Sequence, residues 1–308
     1  MMSMSLAASA MIFAMPPRKL AAPTLRLRRL AAEMRRLRAS AGLTREEVTE
    51  RTDINGVTLY RLERAQARPQ RRTLTALMDL YGVDDQGHRA ELLDLARQAG
   101  EDTWLQSFPS ELPEVFTTYI LFESEARTVL NYETAFVPGL LQTEGYARAM
   151  YLGAAPTATK EEIQPLVEAR IGRQAVLTRD PPLRLWAIVD EGALHRLVGG
   201  PDVMAAQLEH VAGAVTAMAH VTFQVIPYDV GAHPGMMANF ALLQFGGDPP
   251  SDVIFHESGG GDLFLESEAH IARFTAIFEH LRAMALSPEH SIKLLRRLAR
   301  ELRGGAEA

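Results

Sequence analysis

Apolar residues fall at helical spacing from Leu27 through Leu30, Met34 and Leu37, while Arg26, Arg28, Arg29, Arg35, Arg36 and Arg38 occupy the other faces. That period predicts a basic amphipathic helix, ended by Ala41-Gly42. Thr44-Arg45-Glu46-Glu47 opens the next helix: the Thr44 hydroxyl can accept from a free amide while Glu47 reaches back, a capping box. This second helix runs from about Arg45 to Thr52. Asp53-Ile54-Asn55-Gly56 reads as a tight connection, with Asp53 expected at positive φ and Asn55 capping the third helix. That helix, about Gly56 to Arg64, turns Leu59 and Leu62 inward over Leu43, Val48 and Ile54, and leaves Thr58, Tyr60, Arg61 and Arg64 outward. Two short helices joined by a three- to four-residue turn make the helix-turn-helix geometry. Helices from Thr73 to Tyr81 and Asp85 to Ala99 complete a five-helix bundle.

Beyond Gly100 the pattern changes. Residues 100–113 carry Gly, Ser and Pro punctuation and only acidic charges, and read as a connector that Trp104 and Phe108 pin to one domain or the other. A helix is expected from Glu114 to Arg127 and a short strand from Thr128 to Tyr132. Val137 to Thr143 then turns into a helix through Tyr146 to Met150, and a long helix runs from Lys160 to Thr178. Leu183 to Val189 is a strand, and Val221 to Ile226 alternates as a half-buried strand should. Glu191 to Leu197 and Asp202 to Ala219 read as helices. Phe240 to Phe245, Val253 to His256 and Leu263 to Leu265 add short strands, the last two around a Gly259-Gly260-Gly261-Asp262 turn. Glu266 to Met284 and Ser287 to Arg303 close the chain as helices, and Trp186 and Met236-Met237 read as core. The expected architecture is two-domain: a disordered leader (1–23), a helical domain (24–99), the connector, and an α/β domain (114–308) with a small sheet flanked by helices.

Charge sharpens this picture. The 308 residues carry a formal charge of −6, which alone argues against a nucleic-acid binder. Between Pro16 and Arg72, however, 15 basic residues face six acidic ones, so this window carries +9 and the rest of the chain −15. Such partition points to one segment facing a polyanion. The absence of cysteine excludes disulfides and thiolate chemistry and fits a reducing compartment. The apolar run from Leu6 to Met15 precedes Arg18 and Lys19, the reverse of a secretory signal, and residues 1–15 read as a floppy leader, with Met15 a candidate for the true start. A cytoplasmic, nucleoid-associated protein is expected, with no membrane partner.

Gly42-Leu43-Thr44-Arg45-Glu46-Glu47-Val48, then Leu59-Tyr60-Arg61-Leu62-Glu63-Arg64, then Arg68-Pro69 resemble the xenobiotic-response-element (Xre) family of phage-repressor-type helix-turn-helix proteins, over about Leu25 to Val83. Thr49 stands where that family prefers alanine, and Asp53 where it prefers glycine. The resemblance implies double-stranded DNA as partner. It places Arg45 against base or phosphate at the start of the second helix, and Asn55, Gly56, Val57, Thr58 and Arg61 in the major groove. Arg61 suits guanine O6 and N7, Asn55 an adenine or a phosphate, and Val57 a thymine methyl. Arg64, Arg68, Arg71 and Arg72 fall to phosphates, and Glu63 to a structural hydrogen bond within the motif.

Three further stretches resemble the large carboxy-terminal domain of the WhiJ-like Xre regulators of actinomycetes: Asn131-Tyr132-Glu133 with Val137 to Thr143 and Gly145 to Arg148; Arg170 through Leu177; and Gln207-Leu208 with Gly231 to Gly235 and Phe240. That resemblance implies an antitoxin-like transcription factor, often working with a small protein encoded nearby. A homodimer is expected, because one small module makes too few contacts for a useful specificity ratio. The alternative is an antitoxin-like interaction module that sequesters the small partner. Tyr132, Phe136, Tyr146 and Arg170 are candidates to line a ligand or partner site. No cofactor, metal or catalytic residue is expected: His256-Glu257 lacks the second histidine of a zinc-protease helix, and the glycine clusters lack phosphate-loop or dinucleotide spacing.

Overall fold

The computed structural model describes residues 25–98, 112–237, 239–246, 252–257 and 263–304. The expected leader, most of the connector with Trp104 and Phe108, and the Gly259–Asp262 turn lie outside the described residues. The described chain falls into two compact units, residues 25–98 with 113–122, and residue 112 with 123–304.

The first unit is all helical: α1 (Leu25–Ser40), α2 (Arg45–Arg51), α3 (Gly56–Glu63), α4 (Arg71–Leu80), α5 (Gln86–Gln98) and the start of α6 (Glu114–Glu125). Its core is the predicted apolar set, with Leu30, Met34, Val48, Leu59, Leu62, Leu74 and Leu77 buried completely or nearly so. Each such side chain removed from water contributes about 1.5–3 kcal/mol, which five short helices need to hold together. The capping box opening α2 is present: Thr44 N donates to Glu47 Oε2 at 2.7 Å and Glu47 N to Thr44 Oγ1 at 3.2 Å.

The turn between α2 and α3 differs from expectation at Asp53, which does not take positive φ. Thr52 supplies the reason. Its hydroxyl donates to Val48 O at 2.7 Å and accepts from Ile54 N at 3.4 Å, closing the turn through a side chain instead of a left-handed residue. The left-handed position falls at Ala65 (φ 55°), just past α3. There Ala65 N donates to Leu62 O and Gln66 N to Arg61 O, the paired bonds of a Schellman motif.

The second unit is a mixed six-stranded sheet flanked by helices. Its strands are β1 (Thr128–Glu133), β2 (Arg184–Asp190), β3 (Val221–Ile226), β4 (Phe240–Gln244), β5 (Val253–His256) and β6 (Leu263–Leu265), in the order β3-β2-β1-β4-β5-β6. β1, β2 and β3 run parallel; β4 lies antiparallel on the other side of β1 and continues through β5 to β6 as a meander. Parallel neighbours need crossovers. α7 (Glu144–Ala154) and α8 (Lys160–Gly172) supply the first; the four-residue α9 (Gly192–His195) and α10 (Pro201–Ala217) supply the second. The predicted single helix from Lys160 to Thr178 is divided: α8 ends at Gly172 and the chain tightens into a 3-10 segment, Arg173–Leu177.

One sheet face carries Tyr132, Ile188, Ile226, Phe240, Leu242 and Ile254 against Phe278 and Leu281 of α11 (Glu268–Met284). The other face lies toward α10 and α12 (Pro288–Gly304). β3 is therefore more deeply buried than its alternation predicts, with Thr222 the one residue of the strand that is not buried. Its outer edge is occupied as well: Val225 N donates to Ser291 Oγ at 3.1 Å, Leu286 N to Val225 O at 2.8 Å, and Gln224 Nε2 to Leu286 O at 2.8 Å. A covered edge offers no free ladder to another chain. Trp186 is half-buried beside the α11 face, with the Arg282 guanidinium 4.9 Å above its ring. Met236 and Met237, expected in the core, are exposed at 63% and 89%.

Candidate nucleic-acid interface

In the helix-turn-helix, local patterning decides which side chains face water. Asn55 caps α3 by accepting from Val57 N at 2.8 Å through Oδ1, so its Nδ2 is the group left to donate outward. With Leu59 and Leu62 drawn into the core, helical spacing turns Val57, Thr58, Tyr60, Arg61 and Arg64 to the opposite side, and all five are exposed. Gly56 faces Thr49. A Cβ at Gly56 would stand 3.5 Å from Thr49 Oγ1, and that hydroxyl donates to Arg45 O at 3.0 Å. The threonine is thus accommodated by a hydrogen bond within α2 and by the small residue opposite it.

Glu63 organises the arginines behind this face. Its carboxylate is fully buried and accepts from Arg38 Nε at 2.5 Å and from Arg45 Nε at 2.7 Å, while its backbone carbonyl accepts from Arg35. Desolvation pushes the Glu63 carboxyl up, but the hydrogen bonds from Arg38 and Arg45 outweigh it and hold the group below the usual range. Arg36 pairs with Glu33. Much of the α1 arginine stripe is therefore spent inside the unit.

Arg61, Arg68, Arg71 and Arg72 contrast with that stripe. Arg61, Arg68, Arg71 and Arg72 are all exposed, and none forms an ion pair with a described residue. Tyr60, 42% exposed, lies between two cations, with Arg45 Cζ 5.5 Å and Arg64 Cζ 5.9 Å from its ring centroid. Sequence spacing gave no sign of this arrangement, because the Arg45 side chain reaches Tyr60 from α2 only once α2 and α3 are packed. Around the start of α3 lie cationic and small apolar groups, with the exposed Glu46 and Glu50 beside Arg45, Gly56 and Tyr60; the cations can neutralise phosphates and the small groups approach base edges.

In the second unit, the Val137–Thr143 segment is a buried turn closed by side chains. Gln142 Nε2 donates to Val137 O at 2.7 Å, Gln174 Nε2 to Gln142 O at 2.7 Å, and Gln207 Nε2 to Leu141 O at 2.6 Å. Tyr146 is fully buried and its hydroxyl accepts from Val137 N at 3.1 Å. Arg170 donates to Tyr151 Oη at 2.8 Å and to Gln142 Oε1 at 3.3 Å. Tyr146 and Arg170 are thus brought to the same turn. Phe136 is half-buried, and Tyr132 lies fully buried on the β1 face toward α11. Burial and the Asp190 and Glu133 carboxylates raise the Tyr132 hydroxyl above its usual pKa.

A family model described as "Domain of unknown function (DUF5753)" matches residues 116–297, more than half the chain. The chain belongs to the DUF5753 family. Ahead of that domain, a model described as a helix-turn-helix domain matches residues 29–92, which contain α2, α3 and their turn. No curated protein and no solved structure matches the chain. The order of this DUF5753 member is therefore a helix-turn-helix domain followed by a large carboxy-terminal α/β domain, and no helix among the described residues is long and apolar enough to cross a membrane.

Proposed function

We propose that this chain is a dimeric, sequence-specific transcriptional regulator of the Xre type. Its α3 enters the major groove, and its carboxy-terminal domain takes a signal from a small protein partner or ligand. The observation that carries this reading is the division among the arginines: Arg35, Arg38 and Arg45 are engaged by Glu63, whereas Arg61, Arg68, Arg71 and Arg72 stand outside any ion pair with a described residue, around α3 and the start of α4. Guanidinium groups without a carboxylate partner are those free to displace condensed counterions. Arg61, on the outward face of α3, is assigned to a guanine, and Arg64, Arg68, Arg71 and Arg72 to phosphates. Asn55, whose Oδ1 is already used as a cap, suits a phosphate through Nδ2. Val57 supplies an apolar contact, and Thr58 and Gly56 allow close approach.

The test is fluorescence anisotropy on an operator selected from random DNA, repeated across salt concentrations. Arg61→Ala is expected to weaken operator binding by about 1–3 kcal/mol, roughly 5- to 150-fold, with little change on random DNA. Arg71→Ala is expected to weaken both alike and to reduce the salt slope by about one. An affinity that stays flat between about 50 and 200 mM salt is incompatible with phosphate-driven binding and sinks the reading.

A further inference from the structure

Helix α12 buries Ser291, Leu294, Leu295, Leu298 and Ala299, and this inward face fixes where its charges go. Lys293, Arg296, Arg297, Arg300 and Arg303 are all exposed on the rest of the helix. With Glu289 and Glu301 as its acidic residues, α12 carries +3 within a remainder of −15, which leaves −18 for everything else outside the Pro16–Arg72 window. A second cationic segment thus stands apart in an otherwise acidic domain.

Neighbouring carboxylates offset some of these cations but not all. Arg297 Nε lies 3.8 Å from Glu301 Oε1, and Arg303 pairs with Glu209 of α10. Glu289 stands one turn before Lys293. The surplus is Arg296 and Arg300, and neither is in an ion pair with a described residue. They line a groove of about 530 Å³ between α12 and α10, together with Glu209, Ala212 and Gly213. At Gly213 the groove is open, since a Cβ there would meet nothing within 4 Å. Each guanidinium is tethered through one nitrogen: Arg296 Nη2 donates to Thr216 Oγ1 at 3.4 Å, and Arg300 Nε donates to Arg296 O at 3.2 Å. Their other N–H groups have no partner among the described residues.

Two tethered guanidinium groups with donors to spare match the oxygens of a phosphate, which the planar fork of arginine can grip in pairs. Arg296 and Arg300 lie one helical turn apart, about 5–6 Å between Cβ atoms. One strand of a duplex offers a phosphate every ~3.4 Å along its axis, so a strand running along α12 meets both. A protein partner would bury an apolar centre, and the large apolar side chains exposed among the described residues all lie on elements other than α10 and α12. A phosphate backbone needs no such anchor, because release of condensed counterions drives its binding. We propose that the α10–α12 groove is a second site for the backbone of duplex DNA, with Arg296 and Arg300 as its phosphate ligands. This inference rests on the proposed DNA-binding regulator and adds to it a contact outside the helix-turn-helix.

Fluorescence anisotropy of the full-length protein across salt concentrations tests it, on long duplexes with and without the selected operator. Arg296→Ala with Arg300→Ala is expected to lower the salt slope by about two and to weaken operator and random DNA alike. Both side chains are exposed, so far-UV circular dichroism and melting are expected to stay unchanged. Arg296→Lys with Arg300→Lys keeps the charges and is expected to keep the slope. A double alanine variant with the wild-type slope overturns the inference and leaves the regulator standing, and the groove then belongs to some other anion. A double lysine variant as weak as the double alanine one also overturns it, since charge would then not be what binds. A wild type whose affinity ignores salt overturns both readings together. Loss of slope in the double alanine variant, with the preference for operator over random DNA intact, supports the inference, because that preference is assigned to Arg61.

Discussion

Glu63→Ala is expected to destabilise the N-terminal unit by about 3 kcal/mol, lowering its unfolding midpoint by roughly 12–24 °C. Glu63 is fully buried, and its carboxylate accepts from Arg38 and Arg45, two guanidinium groups contributed by α1 and α2. Removing it takes away a group that ties α1, α2 and α3 together by charge. The cost lies at the low end for a broken buried pair, because Arg38 and Arg45 are 17% and 40% exposed and regain some water. The carboxyl is held below its ordinary value of 4.5, so its contribution is fully present above that pH and is lost as pH falls through the lower folded value. In urea titrations of the full chain, the stability gap between wild type and Glu63→Gln should therefore shrink as pH drops below 4.5. An equal gap at neutral and acid pH would show that the carboxylate's charge is not what holds the three helices.

The same cluster shows what could be read from sequence. The apolar period of α1, the Thr44–Glu47 capping box and the Asn55 cap are local, and each stands where its pattern placed it. Glu63 reads as a structural partner from the motif alone, but its donors lie 25 and 18 residues away and come together only when the bundle packs. Asp53 misled because the turn chemistry next to it was incomplete without the Thr52 hydroxyl. Ala65 gave no signal, since alanine is seldom chosen for a left-handed position.

In the second unit every strand was legible by its β-branched and aromatic content, whereas the order β3-β2-β1-β4-β5-β6 was not, because pairing is set by tertiary contacts and not by spacing. Met236-Met237 failed for a related reason. Their composition argues for burial, but in the 3-10 segment Pro234–Met237 only Gly235 is buried, and both methionines face water. Conversely, the Gly139-Leu140-Leu141-Gln142-Thr143 stretch stood out in the sequence, and what it marks is a buried turn fastened by glutamines 142, 174 and 207.

That turn leads to the second large effect, Arg173→Ala, expected to cost the carboxy-terminal domain about 3–4 kcal/mol. Arg173 is 5% exposed and Glu123 1%, with Nη1 at 3.1 Å from both carboxylate oxygens. The truncation leaves a buried carboxylate without this cation, and desolvation then acts on it unopposed by that charge. Gly139 is part of the same arrangement: a Cβ there would stand 1.8 Å from Arg173 Nη2, so the turn can lie against the guanidinium only with glycine at this position. Two consequences separate an ion-pair role from simple packing. Arg173→Met with Glu123→Leu should recover most of the loss, since a buried pair replaced by apolar groups of similar volume is often nearly neutral. Gly139→Ala should be clearly destabilising in the wild type but milder in the Arg173→Met background, where no guanidinium occupies that space. Thermal unfolding of these variants in double-mutant cycles measures both couplings. Strict additivity between Gly139→Ala and Arg173→Met would mean that the turn is held by the glutamines alone.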